Sequence, residues 1–118
     1  MTKPKSAEAE TQFTSVTDAE ALEELFALSH KRPVILFKHS TTCPISAAAY
    51  RQMSKYDGEV SLVVVQDARD ISRQIETQTG VRHESPQAII LRNGQAVWSA
   101  SHWSITADAV KSALGDFQ

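Results

Sequence analysis

The sequence predicts an α/β domain in which a central, mixed β-sheet is flanked by helices. Short apolar runs typical of buried strands alternate along the chain with segments whose apolar residues follow a helical period. The pair Asn93-Gly94 lies between two of the later runs, where it predicts a tight antiparallel hairpin. The only cysteine, Cys43, stands where a strand passes into a helix. We therefore expect the functional residues at that junction.

The composition fits one domain of ordinary size. The chain has 118 residues, of which 42% are hydrophobic and 22% are charged, and this is sufficient for a single core. A net charge of -2 lacks the basic excess of nucleic-acid and anionic-membrane binders, so neither partner is expected. No apolar run approaches the roughly 18 residues of a membrane span, and no signal-peptide pattern is visible. We expect a cytoplasmic protein that is a monomer.

The chain is predicted to begin with a tail, a strand and a helix. Residues 1–12 are polar without an apolar period, so we interpret them as a flexible N-terminal tail that precedes a domain at 13–118. Residues 13–16 are predicted to form a short strand. Thr17 and Glu20 form the pattern of a capping box, which predicts that the first helix begins there.

The central strand and the helix after it carry the cysteine. Residues 34–37 are predicted to be a buried strand. Pro44 is favoured at the first helical position, where its missing N–H is no loss. Cys43 is therefore expected at the N-terminus of a helix that runs to about Lys55. Residues 60–65 then form a continuous apolar run, which is typical of a strand covered on both faces.

The last part of the chain is predicted to contain two helices around the hairpin. Asp67 begins a third helix, which Gly80 ends. Residues 88–91 and 96–101 are the two hairpin strands. The last helix begins at Thr106, after which apolar residues recur at helical spacing.

Cys43 is expected to be a reactive thiol. Unpaired backbone N–H groups and the positive end of the helix dipole favour a thiolate at a helix start. A buried, inert thiol is the alternative, since free cysteines are often buried, but Pro44 directly behind Cys43 favours the reactive one. A single cysteine excludes a disulfide within the chain. Cys43 can therefore only form a mixed disulfide, which an external thiol resolves.

Ser46 stands where a second cysteine would close a disulfide in a C-x-x-C site. It follows Cys43 by one helical turn, so its hydroxyl is able to donate a hydrogen bond to the thiolate. The alternative is that Ser46 is simply a small polar residue of the first turn. The sequence leaves both interpretations open.

Basic residues are concentrated around the cysteine. Residues 29–56 contain no Asp or Glu, and cations near a thiol favour its ionised form and attract anionic substrates. Lys38 and His39 end the strand that leads to the cysteine loop, and Arg82 and His83 are further candidates for the site. No histidine has metal-ligand spacing, so no metal site is expected. The basic residues of this stretch are Lys31, Arg32, Lys38, Arg51 and Lys55.

Three motifs give the chain a resemblance to a known family. They are KHSTTCPIS at residues 38–46, VRHESPQ at residues 81–87 and SHWSIT at residues 101–106. Together they resemble the monothiol bacilliredoxin-like family of the thioredoxin-like superfamily. The resemblance spans residues 17–114.

The resemblance implies a thioredoxin-like fold and a site built from these three motifs. In that fold a cis-proline loop, here at Pro86, faces the active-site cysteine, and X-Pro is the bond type for which cis is least unfavourable. Trp103 is expected in the wall of the substrate groove and Trp98 in the core. The implied catalytic residues are Cys43, Pro44 and Ser46. The implied substrate-binding residues are Lys38, His39, Thr42, His83, Ser85, Pro86, His102 and Trp103.

The resemblance also implies a monothiol thiol-disulfide oxidoreductase. Its partners would be bacillithiol, a glucosamine-malate-cysteine thiol, and S-bacillithiolated proteins. It would need no cofactor, with bacillithiol as the low-molecular-weight thiol co-substrate.

Two other classes of function stay open. One is a glutaredoxin-like iron-sulfur cluster carrier, which the Pro44 in place of the C-G-F-S glycine disfavours. The other is a noncatalytic adaptor of thioredoxin fold, in which Cys43 is incidental.

Overall fold

The computed structural model describes residues 11–118. This part of the chain forms five strands, four α-helices and one 3-10 turn, and none of its helices is long and apolar enough to cross a membrane. The predicted α/β class with a mixed sheet is confirmed. The elements are β1 (Thr11–Ser15), α1 (Ala19–Leu28), β2 (Val34–His39), α2 (Pro44–Met53), β3 (Gly58–Val64), α3 (Arg69–Thr79), β4 (Gln87–Arg92), β5 (Gln95–Ser101), the 3-10 turn (His102–Ser104) and α4 (Ala107–Asp116).

The five strands form one sheet in the order β1-β3-β2-β4-β5. Strands β1, β3 and β2 are parallel, and β4 pairs antiparallel with both β2 and β5. The ends of β2 and β3 and the start of β4 therefore lie at one edge of the sheet. That edge brings together the loop before Cys43, Gln66 after β3, and the segment that ends at Pro86.

Both faces of the sheet are covered, which explains why all six residues of β2 are buried. Alternate residues of a strand point to opposite faces, so β2 contributes to two cores. One core includes Leu22, Leu36, Val63, Ile71, Ile75 and Ile89 and is covered by α1 and α3. The other includes Phe37, Ala49, Met53, Val60, Ile90 and Val110 and is covered by α2 and α4.

The N-terminal boundary of the domain lies earlier than predicted. Thr11 and Gln12 belong to β1, where Thr11 pairs with Gly58. The Thr11 hydroxyl donates to the backbone oxygen of Met53 at 2.7 Å and also contacts that of Tyr56. Thr11 and Gln12 are therefore part of the sheet, although the sequence predicts that both belong to the tail. The rest of the predicted tail, residues 1–10, lies outside the described residues.

The first helix is capped by Asp18 and not by the predicted capping box. The Asp18 carboxylate accepts a hydrogen bond from the backbone N–H of Ala21 at 2.8 Å. The helix therefore begins one residue later than the Thr17 and Glu20 pattern predicts. An Asp at the N-cap is favoured at least as strongly as a Thr, which explains the shift.

The end of α3, the start of α4 and the hairpin turn agree with the sequence, whereas α3 begins at Arg69, two residues after the predicted start at Asp67. Gly80 ends α3 in the left-handed conformation with a φ of 74°, and Thr106 caps α4 by accepting from the N–H of Ala109. Asn93 and Gly94 have positive φ values of 57° and 77°. This is the conformation that a two-residue turn between antiparallel strands requires.

Candidate functional site

Cys43 is the N-cap of α2, with extended backbone angles, and Pro44 follows in the first helical turn. Its side chain is partly exposed. The backbone N–H of Ser46 lowers the pKa of the Cys43 thiol, as do that of Ile45 and the Ser46 hydroxyl, whereas partial burial opposes them. The start of the helix thus stabilises the thiolate, which is the nucleophilic form of a cysteine.

Ser46 is completely buried beside the cysteine. Its Oγ accepts a hydrogen bond from the backbone N–H of Ser40 at 3.2 Å, and its hydroxyl also contributes to the lowered pKa of Cys43. That Ser46 acts on the thiolate stays a prediction. The hydrogen bond between Ser40 and Ser46 also links the start of α2 to the residue that follows β2.

Replacing Ser46 with Ala is expected to raise the pKa of Cys43, because the thiolate loses a donor and the loop loses its anchor. Alkylation by iodoacetamide at neutral pH should slow by roughly two- to tenfold, which corresponds to one ordinary hydrogen bond. Alkylation rates measured against pH would show the shift. Ser54→Ala is the matched control, since the Ser54 hydroxyl bonds to Tyr50 at the opposite end of α2. An unchanged titration midpoint in Ser46→Ala would contradict this role.

Lys38 and His39, which are both predicted to bind substrate, are buried. Lys38 is 0% exposed and His39 is 9% exposed. Lys38 lies in the centre of the sheet, paired with Val63 and Gln87. Its Nζ has no hydrogen-bond partner among the described residues, and burial lowers its pKa from 10.5 to about 8, with the charges of Glu76 and Glu84 opposing the shift.

His39 lies on the opposite face of the sheet. Its ring centroid is 5.0 Å from that of Tyr50 and 5.7 Å from that of Phe37. Its Nδ1 has no hydrogen-bond partner in residues 11–118, and burial lowers its pKa. Both side chains therefore belong to the interior of the protein.

Gln66 is a residue of the site that the sequence analysis missed. Its Nε2 donates to the hydroxyls of Ser40 at 2.9 Å and Thr42 at 3.2 Å, and its Oε1 accepts from the backbone N–H of Thr41 at 3.2 Å. Thr42, predicted to bind substrate, is exposed and takes part in this network. The available signal was a polar side chain directly after a buried parallel strand, where functional residues of open α/β sheets gather.

The proline loop reaches the same edge of the sheet. The Ser85-Pro86 peptide bond is cis, and the backbone oxygen of Pro86 accepts a hydrogen bond from the N–H of His102 at 3.1 Å. The Ser85 hydroxyl is buried and has no partner among residues 11–118. The expected approach of Pro86 to the Cys43 sulfur stays a prediction.

His83 connects the proline loop to α3. Its Nδ1 is 3.2 Å from the hydroxyl of Ser72, and its backbone N–H donates to Glu76 at 3.2 Å. Burial, followed by the charge of Lys38, lowers the pKa of His83, while Glu76 and Glu84 oppose the shift. His83 itself is exposed, as a substrate-binding residue must be.

His102 and Trp103 form the start of the 3-10 turn, which packs against α2. His102 Nε2 is 3.7 Å from the Glu84 carboxylate. Trp103 is 70% exposed, which agrees with a place in a groove wall. Trp98 is partly buried against the core under α2 and α4, as expected of a core residue.

The described residues contain no group of three or more His, Cys, Asp or Glu side chains arranged to hold a metal ion. The thiol is instead next to the backbone N–H groups of Ser46 and Ile45 and the Ser46 hydroxyl, and the Gln66 amide holds the loop before it. This arrangement can stabilise a thiolate and present it to a disulfide. It offers no second thiol that would release a bound substrate.

The family comparison covers most of the chain. Residues 14–110 match a family model described as "Monothiol bacilliredoxin BrxC". The match includes all three motifs, from the cysteine loop to the 3-10 turn.

Solved structures give the same fold. One, described as a candidate oxidoreductase with a thioredoxin fold, is 35% identical with a TM-score of 0.78, over 86% of this chain and 92% of that one. A thioredoxin from Nicotiana alata is 14% identical with a TM-score of 0.70, over 92% and 95% of the two chains. One from Fasciola hepatica is 12% identical with a TM-score of 0.69, over 89% and 99%. The fold is thioredoxin-like, and the family match together with the 35% identical structure supports thiol redox chemistry.

Proposed function

The chain belongs to the monothiol bacilliredoxin family, and from this premise we propose that it removes bacillithiol from S-bacillithiolated proteins. The observation that carries the proposal is the Cys43 thiol, stabilised as a thiolate at the start of α2, with Ser46 one turn later. The site has a nucleophile and no partner thiol. Such a site supports exchange in which a mixed disulfide is the central intermediate.

In the first step the Cys43 thiolate attacks the bacillithiol sulfur of the protein-bacillithiol disulfide. A bond forms between Cys43 Sγ and that sulfur, and the bond to the protein sulfur breaks. The substrate protein leaves as a thiolate, which takes a proton from water. The protein cysteine has been reduced, and Cys43 now holds bacillithiol as a mixed disulfide.

In the second step an external low-molecular-weight thiol, such as a second bacillithiol, attacks this mixed disulfide as its thiolate. The attack on the bacillithiol sulfur forms bacillithiol disulfide and releases Cys43 as a thiolate. The external thiol supplies the two electrons, because Ser46 cannot. The backbone N–H groups that lower the pKa of Cys43 also make it a good leaving group.

Intact mass spectrometry tests the proposal. The reduced protein is exposed to bacillithiol disulfide, and one adduct of the mass of bacillithiol is expected on Cys43. Addition of free bacillithiol should then remove the adduct, and an S-bacillithiolated substrate protein should lose its modification only when the enzyme is present. An unmodified Cys43, or an adduct that free thiols do not remove, would overturn the proposal.

We also expect a preference between disulfides. Bacillithiol carries two malate carboxylates, which cationic side chains at an exposed site attract. Cys43 should therefore react faster with bacillithiol disulfide than with cystine, and the advantage should shrink as salt screens the exposed charges. Stopped-flow rates for both disulfides at low and high ionic strength would test this. Equal rates at every ionic strength would leave a generic monothiol oxidoreductase.

A further inference from the structure

A groove beside the cysteine loop is not used by the chemistry described so far. It has a volume of about 250 Å³ and runs along one face of α3 from the end of β3. One helical face supplies most of its polar lining, because positions three and four apart in a helix are neighbours. The polar residues that line it are Gln66, Arg69, Ser72, Arg73, Glu76 and His83.

The groove is joined to both functional segments by hydrogen bonds. At one end, Gln66 bonds to Ser40 and Thr42, directly before the cysteine. At the wall, His83 bonds to Ser72 and belongs to the segment that leads to Pro86. The groove therefore begins at a side chain, Gln66, that is bonded to the residue directly before Cys43.

Exposed cations line the part of the groove along α3. Arg69 makes no salt bridge within residues 11–118, whereas Arg73 pairs with Asp70. Arg69 is therefore the stronger candidate for an incoming anion. Both side chains are exposed, so a ligand can reach them without rearrangement of the core.

The wall of the groove contains one carboxylate, Glu76, whose negative charge is partly neutralised by the buried Lys38. Glu76 accepts a hydrogen bond from the backbone N–H of His83. The fully buried Lys38 ammonium, which has no hydrogen-bond partner in the described part of the chain, interacts electrostatically with both Glu76 and His83. Lys38 therefore offsets the negative charge in the wall without being accessible itself.

The cations and hydrogen-bonding groups of the groove are suited to bind a sugar thiol that carries carboxylates. In bacillithiol the cysteinyl part carries an ammonium near the sulfur, the malate carries two carboxylates at the far end, and hydroxyl groups lie between them. Guanidinium groups bind carboxylates in a bidentate way, and Ser72 and Gln66 offer hydrogen bonds to hydroxyls.

We propose that the groove formed by Gln66, Arg69, Ser72, Arg73, Glu76 and His83 holds the bacillithiol moiety of the mixed disulfide, with Arg69 as the main contact of the malate. The proposal rests on the proposed function and adds to it the residues that select the thiol. It assigns the contact with the malate to the exposed Arg69 in α3 and not to Lys38 in β2, which is fully buried.

The test compares three variants that remove the same charge. Arg69→Gln should slow the reaction of Cys43 with bacillithiol disulfide by roughly three- to tenfold, the effect of one exposed ion pair with hydrogen bonds. Arg73→Gln should have a smaller effect, because Asp70 already pairs with Arg73. Arg51→Gln, an exposed arginine of α2 outside the groove, is the control. Cystamine, a disulfide without carboxylates, should react at the same rate with all of them.

The outcomes separate the two proposals. If Arg69→Gln loses no more rate than Arg51→Gln, the effect is that of the general charge and the groove is not the subsite. If the parent protein prefers bacillithiol disulfide over cystine and Arg69→Gln keeps that preference, the groove assignment alone fails. If the parent has no preference, the groove assignment fails and a generic monothiol oxidoreductase is left, whereas an unmodified Cys43 after exposure to bacillithiol disulfide overturns the proposed function itself. A selective loss with Arg69→Gln, and unchanged rates with cystamine, would support the assignment.

Discussion

Replacing Cys43 with Ser is expected to abolish exchange with bacillithiol disulfide completely. The chain has no other cysteine, so the variant contains no group that forms a disulfide. A serine hydroxyl stays protonated near neutral pH, and the N–H groups of Ser46 and Ile45 that stabilise a thiolate cannot ionise it. Intact mass after exposure to bacillithiol disulfide should remain that of the unmodified variant.

The fold of this variant serves as the control. Cys43 is only partly buried and makes no side-chain cap for α2, so its replacement by a residue favoured at N-caps should not reduce the free energy of unfolding. Urea unfolding would verify this. Residual removal of bacillithiol from a substrate protein by a folded Cys43→Ser variant would contradict the assignment of the nucleophile.

Ser46→Cys provides the complementary test of the monothiol cycle. Ser46 is one turn from Cys43, and Cys is close to Ser in size, so the buried position should accept it. The new thiol is expected to attack the Cys43 mixed disulfide, which releases bacillithiol without an external thiol. The mass adduct should then be replaced by a loss of two hydrogens. This result would show that Ser46 is what makes the parent cycle depend on an external thiol.

Much of the fold was predictable because its signals are local. The start of α2 at Pro44, the end of α3 at Gly80 and the turn at Asn93 and Gly94 each follow from the conformational preference of one or two residues. The reactive position of Cys43 needed only the observation that a strand passes into a helix there. Each of these features is fixed by residues close together in the chain.

The missed features depend on contacts between distant segments. Lys38 is predicted to bind substrate because it ends the strand that leads to the cysteine loop. Its side chain is nevertheless 0% exposed, because it points to the same face of the sheet as Leu36, which α1 and α3 cover. The bonds of Gln66 to the cysteine loop cross 24 to 26 positions of the chain, and no local pattern encodes them.

The burial of the Lys38 ammonium is expected to lower the free energy of unfolding. Its ammonium is desolvated, and the charges of Glu76 and Glu84 compensate this only in part, so its pKa falls from 10.5 to about 8. At about 1.4 kcal/mol for each pH unit, this difference corresponds to about 3 kcal/mol. Below pH 8 the unfolded and folded chains both hold the proton, and the folded state then bears the full cost of the buried charge.

Lys38→Met is therefore expected to raise the free energy of unfolding at pH 7 by up to about 3 kcal/mol, because the thioether fills a similar space without a charge. Between pH 8 and 10.5 the unfolded parent holds more protons on Lys38 than the folded parent does. The parent should thus gain stability as pH rises through this window, and the advantage of Lys38→Met should shrink by about the same amount.

Urea unfolding of both proteins under reducing conditions, from pH 7 to 10.5, measures this change in the free energy of unfolding. Lys111→Met, at an exposed lysine of α4, is the matched control and should differ from the parent by a small amount that does not follow this window. A parent and Lys38→Met variant whose stabilities run parallel with pH would show that Lys38 is not a desolvated ammonium.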